Sequence, residues 1–265
     1  MEKLKESEYK KVLPLINNNA KTCPTFSYSV LNSIIPGVVY VDHSDCPKTV
    51  LIGTSSGIYY IAGDETNHHF NHSFQEFYTD KVQKKKARFT LFSSTKRWDE
   101  VINKLFADET IPMRRYSFVF NPNQYSSEQW KIPNEFTLKR IDENTIKNSL
   151  EFNQAYYEEY WGSVSNFLTN GFGYCVLHNE TVASECTSIF VGNTMAEVDI
   201  ATQEGYRGNG FAFITAKAFI DHCLKHDFIP RWDCDVHNLA SIKLAEKLGF
   251  NYPTEYSVFV RKAKK

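Results

Sequence analysis

The alternation of hydrophobic and polar positions divides the chain into two halves that each carry strands and helices. In the first half, three short runs of β-branched and aromatic residues predict an antiparallel meander, and apolar residues at helical spacing predict helices around it. The first half is therefore predicted to be a small α+β unit. Its predicted strands are residues 37–42, 49–53, 57–62 and 114–120, and its predicted helices are residues 5–19, 71–83 and 98–105.

A crossing rich in Pro and Asn, residues 121–135, follows this unit and is typical of a domain edge. We therefore predict an N-terminal domain over residues 1–135 and a second domain over residues 136–265. The second domain is predicted to contain, in order, a strand, a helix over residues 143–160, three antiparallel strands joined by Asn and Gly turns, a helix, a strand, a helix and a terminal hairpin.

The sequence Tyr-Arg-Gly-Asn-Gly-Phe-Ala at residues 206–212, called the glycine loop below, lies between a predicted strand, residues 196–201, and a predicted helix. So few side chains at the start of a helix leave backbone N–H groups pointing outward at the positive end of the helix dipole. Such a loop binds anionic groups such as a pyrophosphate. It matches neither the dinucleotide pattern G-x-G-x-x-G nor the nucleotide P-loop, which ends in G-K-[ST].

A second motif follows the glycine loop. A short apolar strand, residues 231–236, precedes Asn238 and a run of apolar residues at helical spacing, and Gly249 supplies the positive φ that ends a helix. The two motifs, R-x-x-G-x-A at residues 207–212 and N-x-x-S-x-x-L-A-E-K-L-G-F at residues 238–250, together resemble those of the GNAT N-acetyltransferase superfamily.

This resemblance covers residues 136–260 and implies the GNAT fold, a mixed α/β arrangement of the α+β class. A mixed sheet flanked by helices would follow the smaller N-terminal α+β domain. Trp-Asp-Cys at residues 232–234 and Leu-Ala-Glu-Lys at residues 244–247 further resemble a bacterial subgroup that includes zwittermicin-resistance-type acetyltransferases. No short repeat is visible, and a further hypothesis is that the N-terminal meander is a degenerate relative of the same fold.

The resemblance also implies the cosubstrate, acetyl-coenzyme A, and the residues that hold it. The glycine loop would take the pyrophosphate, the backbone at Thr202 the pantetheine amides, and Asn238 the pantetheine arm, although asparagine is also a good helix N-cap. Family members often carry a tyrosine that protonates the departing thiolate, and this chain has Ala245 at that position. The implied cofactor residues are Thr202, Arg207, Gly208, Asn209, Gly210, Phe211, Ala212 and Asn238.

Three carboxylates are candidates for the base that removes a proton from an acceptor amine. Because side chains alternate along a strand, Glu197 and Asp199 share one face, and Asp199 is preferred because it is nearer Thr202. Glu185 lies in an apolar run, where a carboxylate needs a specific reason. For Glu197 and Asp199, the alternative roles are a solvated strand face or electrostatic attraction of a cationic substrate.

Composition limits the remaining function classes. The 265 residues include 30 Lys+Arg and 31 Asp+Glu, a net charge of −1, so no global field attracts nucleic acid or an anionic membrane. The six cysteines lack zinc-type spacing, and His68, His69 and His72 have no spaced carboxylate partner, so we predict no metal site. Cys175, Cys186 and Cys234 lie in apolar strand-like runs, which predicts a reduced setting. The first residues have no apolar signal-peptide core and no run of about 18 apolar residues occurs, which predicts a cytoplasmic protein.

The sequence thus predicts an acetyl-coenzyme-A-dependent N-acetyltransferase in which the amine of a small molecule attacks the thioester directly, without an acyl-enzyme intermediate. Two other classes stay open, a catalytically weak coenzyme-A-binding sensor and a two-domain module that binds a protein partner. Whether the chain forms a homodimer is also open. An aromatic stripe would border the acceptor site or form part of the core, and its residues are Tyr156, Tyr157, Tyr160 and Trp161.

Overall fold

The computed structural model describes residues 1–126 and 131–262, so the predicted crossing lies partly outside the described residues. The chain divides into two compact units. Met1–Ser117 together with Thr254–Lys265 form the first unit, and Phe118–Pro253 form the second. The predicted boundary lies between residues 135 and 136. In the structure the second unit begins earlier, at Phe118, and the chain returns to the first unit at Thr254.

The first 120 residues contain the predicted meander and helices, together with two strands, residues 2–3 and 90–93, and one helix that were not predicted. All seven residues of that helix, Thr25–Leu31, are buried, and polar and apolar residues alternate singly along it, so the sequence carries no helical periodicity there. A 3₁₀ segment, Glu6–Val12, precedes the first α-helix. The elements are β1 (Glu2–Lys3), α1 (Leu13–Asn17), α2 (Thr25–Leu31), β2 (Gly37–Val41), β3 (Thr49–Thr54), β4 (Ile58–Gly63), α3 (His68–Phe77), β5 (Thr90–Ser93), α4 (Lys96–Phe106) and β6 (Thr110–Phe120).

The rest of the chain follows the predicted order of strands and helices up to its last element, except that three helices replace the one predicted between the first two strands. The elements are β7 (Phe136–Arg140), α5 (Glu143–Asn148), α6 (Gln154–Trp161), α7 (Val164–Asn170), β8 (Gly173–His178), β9 (Thr181–Gly192), β10 (Met195–Thr202), α8 (Phe211–Lys225), β11 (Ile229–Asp235), α9 (Leu239–Lys247) and β12 (Phe250–Arg261).

The single helix predicted over residues 143–160 is wrong, because the chain breaks it into α5 and α6. Ser149 takes an extended conformation, with φ −78° and ψ 137°, and Asn153 begins α6 as its N-cap. The Ser149 hydroxyl accepts a hydrogen bond from the backbone N–H of Phe152. A short polar side chain that bonds its own backbone in this way competes with the helix, which explains the interruption.

The two units have the same order of strand pairings. In the first unit, three antiparallel pairings join β1, β2, β3 and β4, and a parallel pairing joins β4 to β5. In the second unit, three antiparallel pairings join β7, β8, β9 and β10, and a parallel pairing joins β10 to β11. Helices flank both sheets, so the predicted mixed fold of sheet and helices is confirmed.

The predicted terminal hairpin is wrong, because β12 is one continuous strand of 12 residues. Its end pairs with β5 in the first unit, where Val258, Phe259 and Val260 lie antiparallel to residues 90–92. Both Val258 and Phe259 are buried. Hydrophobic burial and ladder hydrogen bonds therefore tie the end of the chain to the N-terminal sheet.

Candidate active site

Strands β10 and β11 pair over only part of their length. The parallel register joins Met195–Glu197 to residues 229–231, whereas β10 pairs with β9 as far as Thr202. A register shift typical of a β-bulge lies between Glu197 and Val198. Within the described residues, the parallel pairing therefore stops at Glu197, and the remainder of β10 pairs with β9 and leads to the glycine loop.

The glycine loop opens α8 with two glycines in the left-handed backbone region. Gly208 and Gly210 both have φ +80°, and at either position a Cβ would find open space in the described structure. Gly210 is the N-cap of the 15-residue helix, and none of the described side chains caps it. The first turn of α8 therefore begins beside open space and without a capping side chain, an arrangement that can bind a pyrophosphate.

Side chains around the glycine loop hold its shape. Arg207 Nε donates to the carbonyl oxygen of Thr202 at 3.3 Å. The amide group of Asn209 donates to the carbonyl oxygens of Tyr206 and Arg207 at 3.2 and 3.3 Å. The hydroxyls of Thr202 and Ser184 share a 2.8 Å hydrogen bond. These hydrogen bonds engage the side chains of the loop with its own backbone and hold its shape.

Two of the predicted cofactor residues at the start of α8 offer a ligand only their backbone. Phe211 is buried, and its ring packs on Phe136 with ring centroids 4.4 Å apart. Ala212, which is half-buried, has no polar side-chain atom. The hydroxyl of Tyr206 bonds Nδ1 of His178 at 3.1 Å and fixes the residue before the loop. The start of α8 is thus anchored in the core while its N–H groups point outward.

Asn238 is the N-cap of α9. Its side-chain oxygen accepts a 3.1 Å hydrogen bond from the backbone N–H of Ser241. The structure shows the N-cap role, and the contact with the pantetheine arm stays a prediction. Ala245 is fully buried in α9, at the position where family members often carry the tyrosine that acts as a general acid. Its methyl group has no proton to give, so a thiolate must take its proton from elsewhere.

Asp199 lies on the face of β10 that meets α6. Its Oδ2 accepts a 2.8 Å hydrogen bond from the hydroxyl of Tyr156, and its Oδ1 accepts one of 3.0 Å from the backbone N–H of Ile200. Desolvation, followed by the negative charge of Asp199, raises the pKa of Tyr156 well above its usual value. The tyrosine therefore stays a hydrogen-bond donor to the carboxylate at every physiological pH.

Glu197 lies beside a buried ion pair. Its Cα partner in the parallel register is Arg231, which is buried and forms a two-pronged salt bridge with Asp233 at 3.0 and 3.2 Å. Such a pair is strongly destabilised by the loss of either partner. The parallel register therefore places Glu197 at the position of β10 next to this ion pair.

Glu185 is 3% exposed and lies on β9 opposite Ala201. Its Oε1 accepts a 2.6 Å hydrogen bond from the hydroxyl of Ser149. Its Oε2 is buried and has no hydrogen-bond partner among the described residues. Burial raises the pKa of this carboxyl to about 7, against the opposing effect of the Ser149 and Phe152 hydrogen bonds.

The aromatic stripe divides between the core and the surroundings of Asp199. Tyr157 and Trp161 are fully buried and bond the hydroxyl of Thr187 and a backbone carbonyl, respectively. Tyr156 and Tyr160 are half-buried, and their rings lie 4.8 Å apart. Sequence reasoning named this stripe but missed the bond from Tyr156 to Asp199 and the role of Ser149, because both depend on how separated segments come together.

The described residues, 1–126 and 131–262, were also compared with the requirements of a metal site, a reactive thiol and a membrane-spanning helix. No group of three or more His, Cys, Asp or Glu side chains there could hold a metal ion. The six cysteines are free and five are buried, and burial raises the pKa of the Cys175 thiol to about 11. None of the described helices combines the length and apolar character needed to cross a membrane.

Comparison with known proteins identifies the family. The sequence model of the GNAT acetyltransferase family matches residues 14–259. The chain belongs to the GNAT acetyltransferase family. It is 46% identical, over 98% of both chains, to an uncharacterized N-acetyltransferase of Bacillus subtilis strain 168 named YdfB. The expectation of an N-acetyltransferase is thus confirmed, and the match to both halves shows that the family extends well beyond the two motifs.

Solved structures agree with this assignment. A GCN5-related N-acetyltransferase-like protein from Streptococcus suis is 25% identical, with a TM-score of 0.71 over 97% of this chain and 99% of that one. A tandem GNAT protein from the clavulanic acid biosynthesis pathway shares the fold at 12% identity, with a TM-score of 0.63 over 98% of this chain and 96% of that one. Structural similarity therefore also covers nearly the entire chain.

Proposed function

We propose that this GNAT protein transfers the acetyl group of acetyl-coenzyme A to the amine of a small molecule, with Asp199 as the base. The observation that carries the proposal is the position of Asp199 on β10, past the end of the parallel register and three residues before Thr202, where the strand leads to the glycine loop. The proposed base on β10 and the anion-binding N-terminus of α8 are thus separated by only a short stretch of backbone.

The residues present fit coenzyme A. Its pyrophosphate needs several converging N–H donors and space close to the backbone, and Gly208 and Gly210 provide both at the uncapped start of α8. Arg207 is exposed at the same loop and supplies a positive charge. The bound thioester supplies the activated acetyl group. Asn238 and the Thr202 backbone are the expected contacts of the pantetheine arm.

The chain's own groups then serve the acceptor. The carboxylate of Asp199 takes a proton from the ammonium group, and the neutral amine that results is a nucleophile. Tyr156 and the Ile200 N–H hold both oxygens of that carboxylate in place. Glu197 and Glu185 are the second and third choices for this base. The buried, high-pKa Cys175 offers no activated thiolate, which favours direct attack by the amine over an acyl-enzyme.

The N-terminal unit is proposed to be a GNAT-like unit that lacks a cofactor loop of its own. Its strand pairings match those of the second unit, yet the segment between β4 and α3 has no glycine after Gly63. Asp64 instead bonds the N–H and hydroxyl of Thr66, and the side chain of Asn67 caps α3. Acidic and capping side chains at this helix start would repel and block a pyrophosphate.

The direct experiment measures thiol release from acetyl-coenzyme A with a panel of small amines, together with coenzyme A binding by calorimetry. Amine-dependent thiol release supports the transferase. Binding without release for every amine supports the sensor, and the absence of both supports the protein-binding module. The zwittermicin-type resemblance and a homodimer stay predictions, which antibiotic amines in the panel and light scattering would test.

A further inference from the structure

The turn between α5 and α6, residues 149–153, links two carboxyl groups of the sheet. At one end, the hydroxyl of Ser149 donates to Oε1 of Glu185 at 2.6 Å and accepts from the N–H of Phe152 at 2.8 Å. Ser149 is buried, and so is Phe152. One hydroxyl thus fixes both the start of the turn and its attachment to β9.

At the other end, the turn delivers an aromatic pair to Asp199. The ring of Phe152 packs on the ring of Tyr156, with centroids 4.7 Å apart, and the Tyr156 hydroxyl donates to Asp199 at 2.8 Å. The position of Tyr156 therefore depends on where the turn places Phe152 and the first residues of α6. A continuous set of contacts runs from Glu185 to Asp199.

The sheet brings the two carboxyl groups to one face. Asp199 lies opposite Thr187, two residues along β9 from Glu185. Residues two apart on a strand share a face, and diagonal neighbours of this kind have Cα atoms about 7–8 Å apart. Both carboxyl groups therefore face the helical layer that contains the turn, and each meets a hydroxyl from it.

We propose that Glu185 is a positioning residue of the acceptor site, which acts through Ser149 and the turn at residues 149–153 to hold Tyr156 against Asp199. The proposal rests on the proposed function of Asp199 but adds a specific route by which a buried carboxyl controls it. Glu185 does not need to touch the acceptor in this role, which agrees with its 3% exposure.

The protonation state of Glu185 gives this route a pH dependence. The groups that face it are the carboxylates of Glu151 in the turn and Asp199 on β10, and the neutral Cys175 on β8 and Tyr157 on α6. Ionisation above the pKa of about 7 places a charge on a buried carboxyl near two other negative charges. Burial and these charges raise the pKa, but the hydrogen bond that Ser149 donates is stronger to the ionised carboxylate than to the neutral carboxyl. The ionised form therefore holds the turn more firmly, and the hold weakens as pH falls below about 7.

The first test removes the link at Ser149. Ser149→Ala is expected to lower kcat for the acceptor about tenfold and to leave coenzyme A affinity unchanged, because it loosens Tyr156 and not the glycine loop. Ser149→Thr keeps the hydroxyl and is expected to restore most of the rate. Ser163→Ala is the matched control, because Ser163 caps α7 through its hydroxyl in the same way but has no bond to Glu185.

A double-mutant cycle separates positioning from general loss of stability. If Ser149 acts through Tyr156, the double variant Ser149→Ala, Tyr156→Phe is no slower than Tyr156→Phe alone. If the rate losses of the two single variants instead multiply in the double variant, the proposal is overturned. Tyrosine labelled with ¹³C at Cζ gives a readout that needs no turnover. The Tyr156 signal, assigned by its loss in Tyr156→Phe, is expected to shift in Ser149→Ala and not in Ser163→Ala.

The second test uses Glu185→Gln, which keeps an oxygen for Ser149 but does not titrate. The ratio of wild-type to variant kcat/KM cancels the ionisation of the amine itself. We expect this ratio to be constant below pH 6 and to rise severalfold between pH 6 and 8, because only the wild-type carboxyl ionises and strengthens its bond to Ser149. A flat ratio in an active enzyme overturns the proposal and leaves the proposed function intact. If wild-type protein shows no acetyl transfer to any amine, the proposed function fails instead, and the NMR shift decides the positioning role.

Discussion

Tyr156 on α6 donates a 2.8 Å hydrogen bond to Asp199 on β10, and the two residues are 43 positions apart in the sequence. This bond joins the aromatic stripe to the strand that leads to the glycine loop. A carboxylate held by a tyrosine hydroxyl and a backbone N–H has a fixed direction, and a fixed direction is what proton transfer from a bound amine requires.

Asp199→Asn is expected to lower kcat/KM for the acceptor by about a hundredfold or more, because the amide cannot accept the amine proton. Coenzyme A affinity, measured by calorimetry, should stay the same, since the glycine loop is untouched. Glu197→Gln is the comparison variant on the same strand, and a smaller loss is expected there. Near-full turnover by Asp199→Asn at neutral pH would show that the base is another group, with Glu185 the next to test.

The fold of the second half was predictable because its information is local. Alternating strands, Asn and Gly turns and the glycine loop each depend on neighbouring residues, and their order matches the structure from β7 to α9. The break at Ser149 was not predictable in this way. Residues 143–160 have helical character, and at the interruption the Ser149 hydroxyl accepts from the nearby Phe152 N–H and also donates to Glu185, a partner 36 residues away that no local pattern shows.

The candidate site shows the same limit. The glycine loop is contiguous, so its residues were named from the sequence, and the structure places Gly208 and Gly210 at the open start of α8. The side chains that orient Asp199 come from another element, and strand alternation says nothing about which helix residue meets it. The end of β12 also pairs with β5, a strand about 170 residues earlier, which no local pattern encodes.

Gly210→Ala is expected to weaken coenzyme A binding at least tenfold. A Cβ at this position strains a backbone with φ +80° and enters the space that the pyrophosphate needs, although it touches no protein atom. Gly205→Ala is the matched control, because a Cβ there also finds open space and the backbone is outside the left-handed region. Calorimetry on both folded variants gives the comparison. Equal affinity in the two would remove the glycine loop from the coenzyme A site.

His222 is expected to make the protein less stable in mild acid. Its ring stacks on Phe172 at 4.0 Å, and burial, with the nearby His226, Arg140 and Lys225, lowers its pKa to about 4. The unfolded chain binds this proton near pH 6.5, so stability is lost as pH falls from about 6.5 to 4 and is unaffected above that range.

Thermal unfolding between pH 4 and 8 measures this effect. The melting temperature of wild-type protein should fall more steeply below pH 6.5 than that of His222→Gln, so the two curves approach each other in acid. His69→Gln, at an exposed position, should follow the wild-type curve. Parallel curves for His222→Gln and wild type would contradict the lowered pKa.

The fragment 136–265 is expected to fail as an independent enzyme. It contains the whole glycine loop and Asp199, but the end of β12 pairs with residues 90–92, which the fragment lacks. Val258 and Phe259, both buried in the full chain, would become exposed on an unpaired strand edge. We expect aggregation and no acetyl transfer from the fragment alone.

Production together with residues 1–135 should restore a soluble, active complex, because it returns the missing strand. A soluble fragment that binds coenzyme A and acetylates the same amine at the full-length rate would show that the first unit has a separate role.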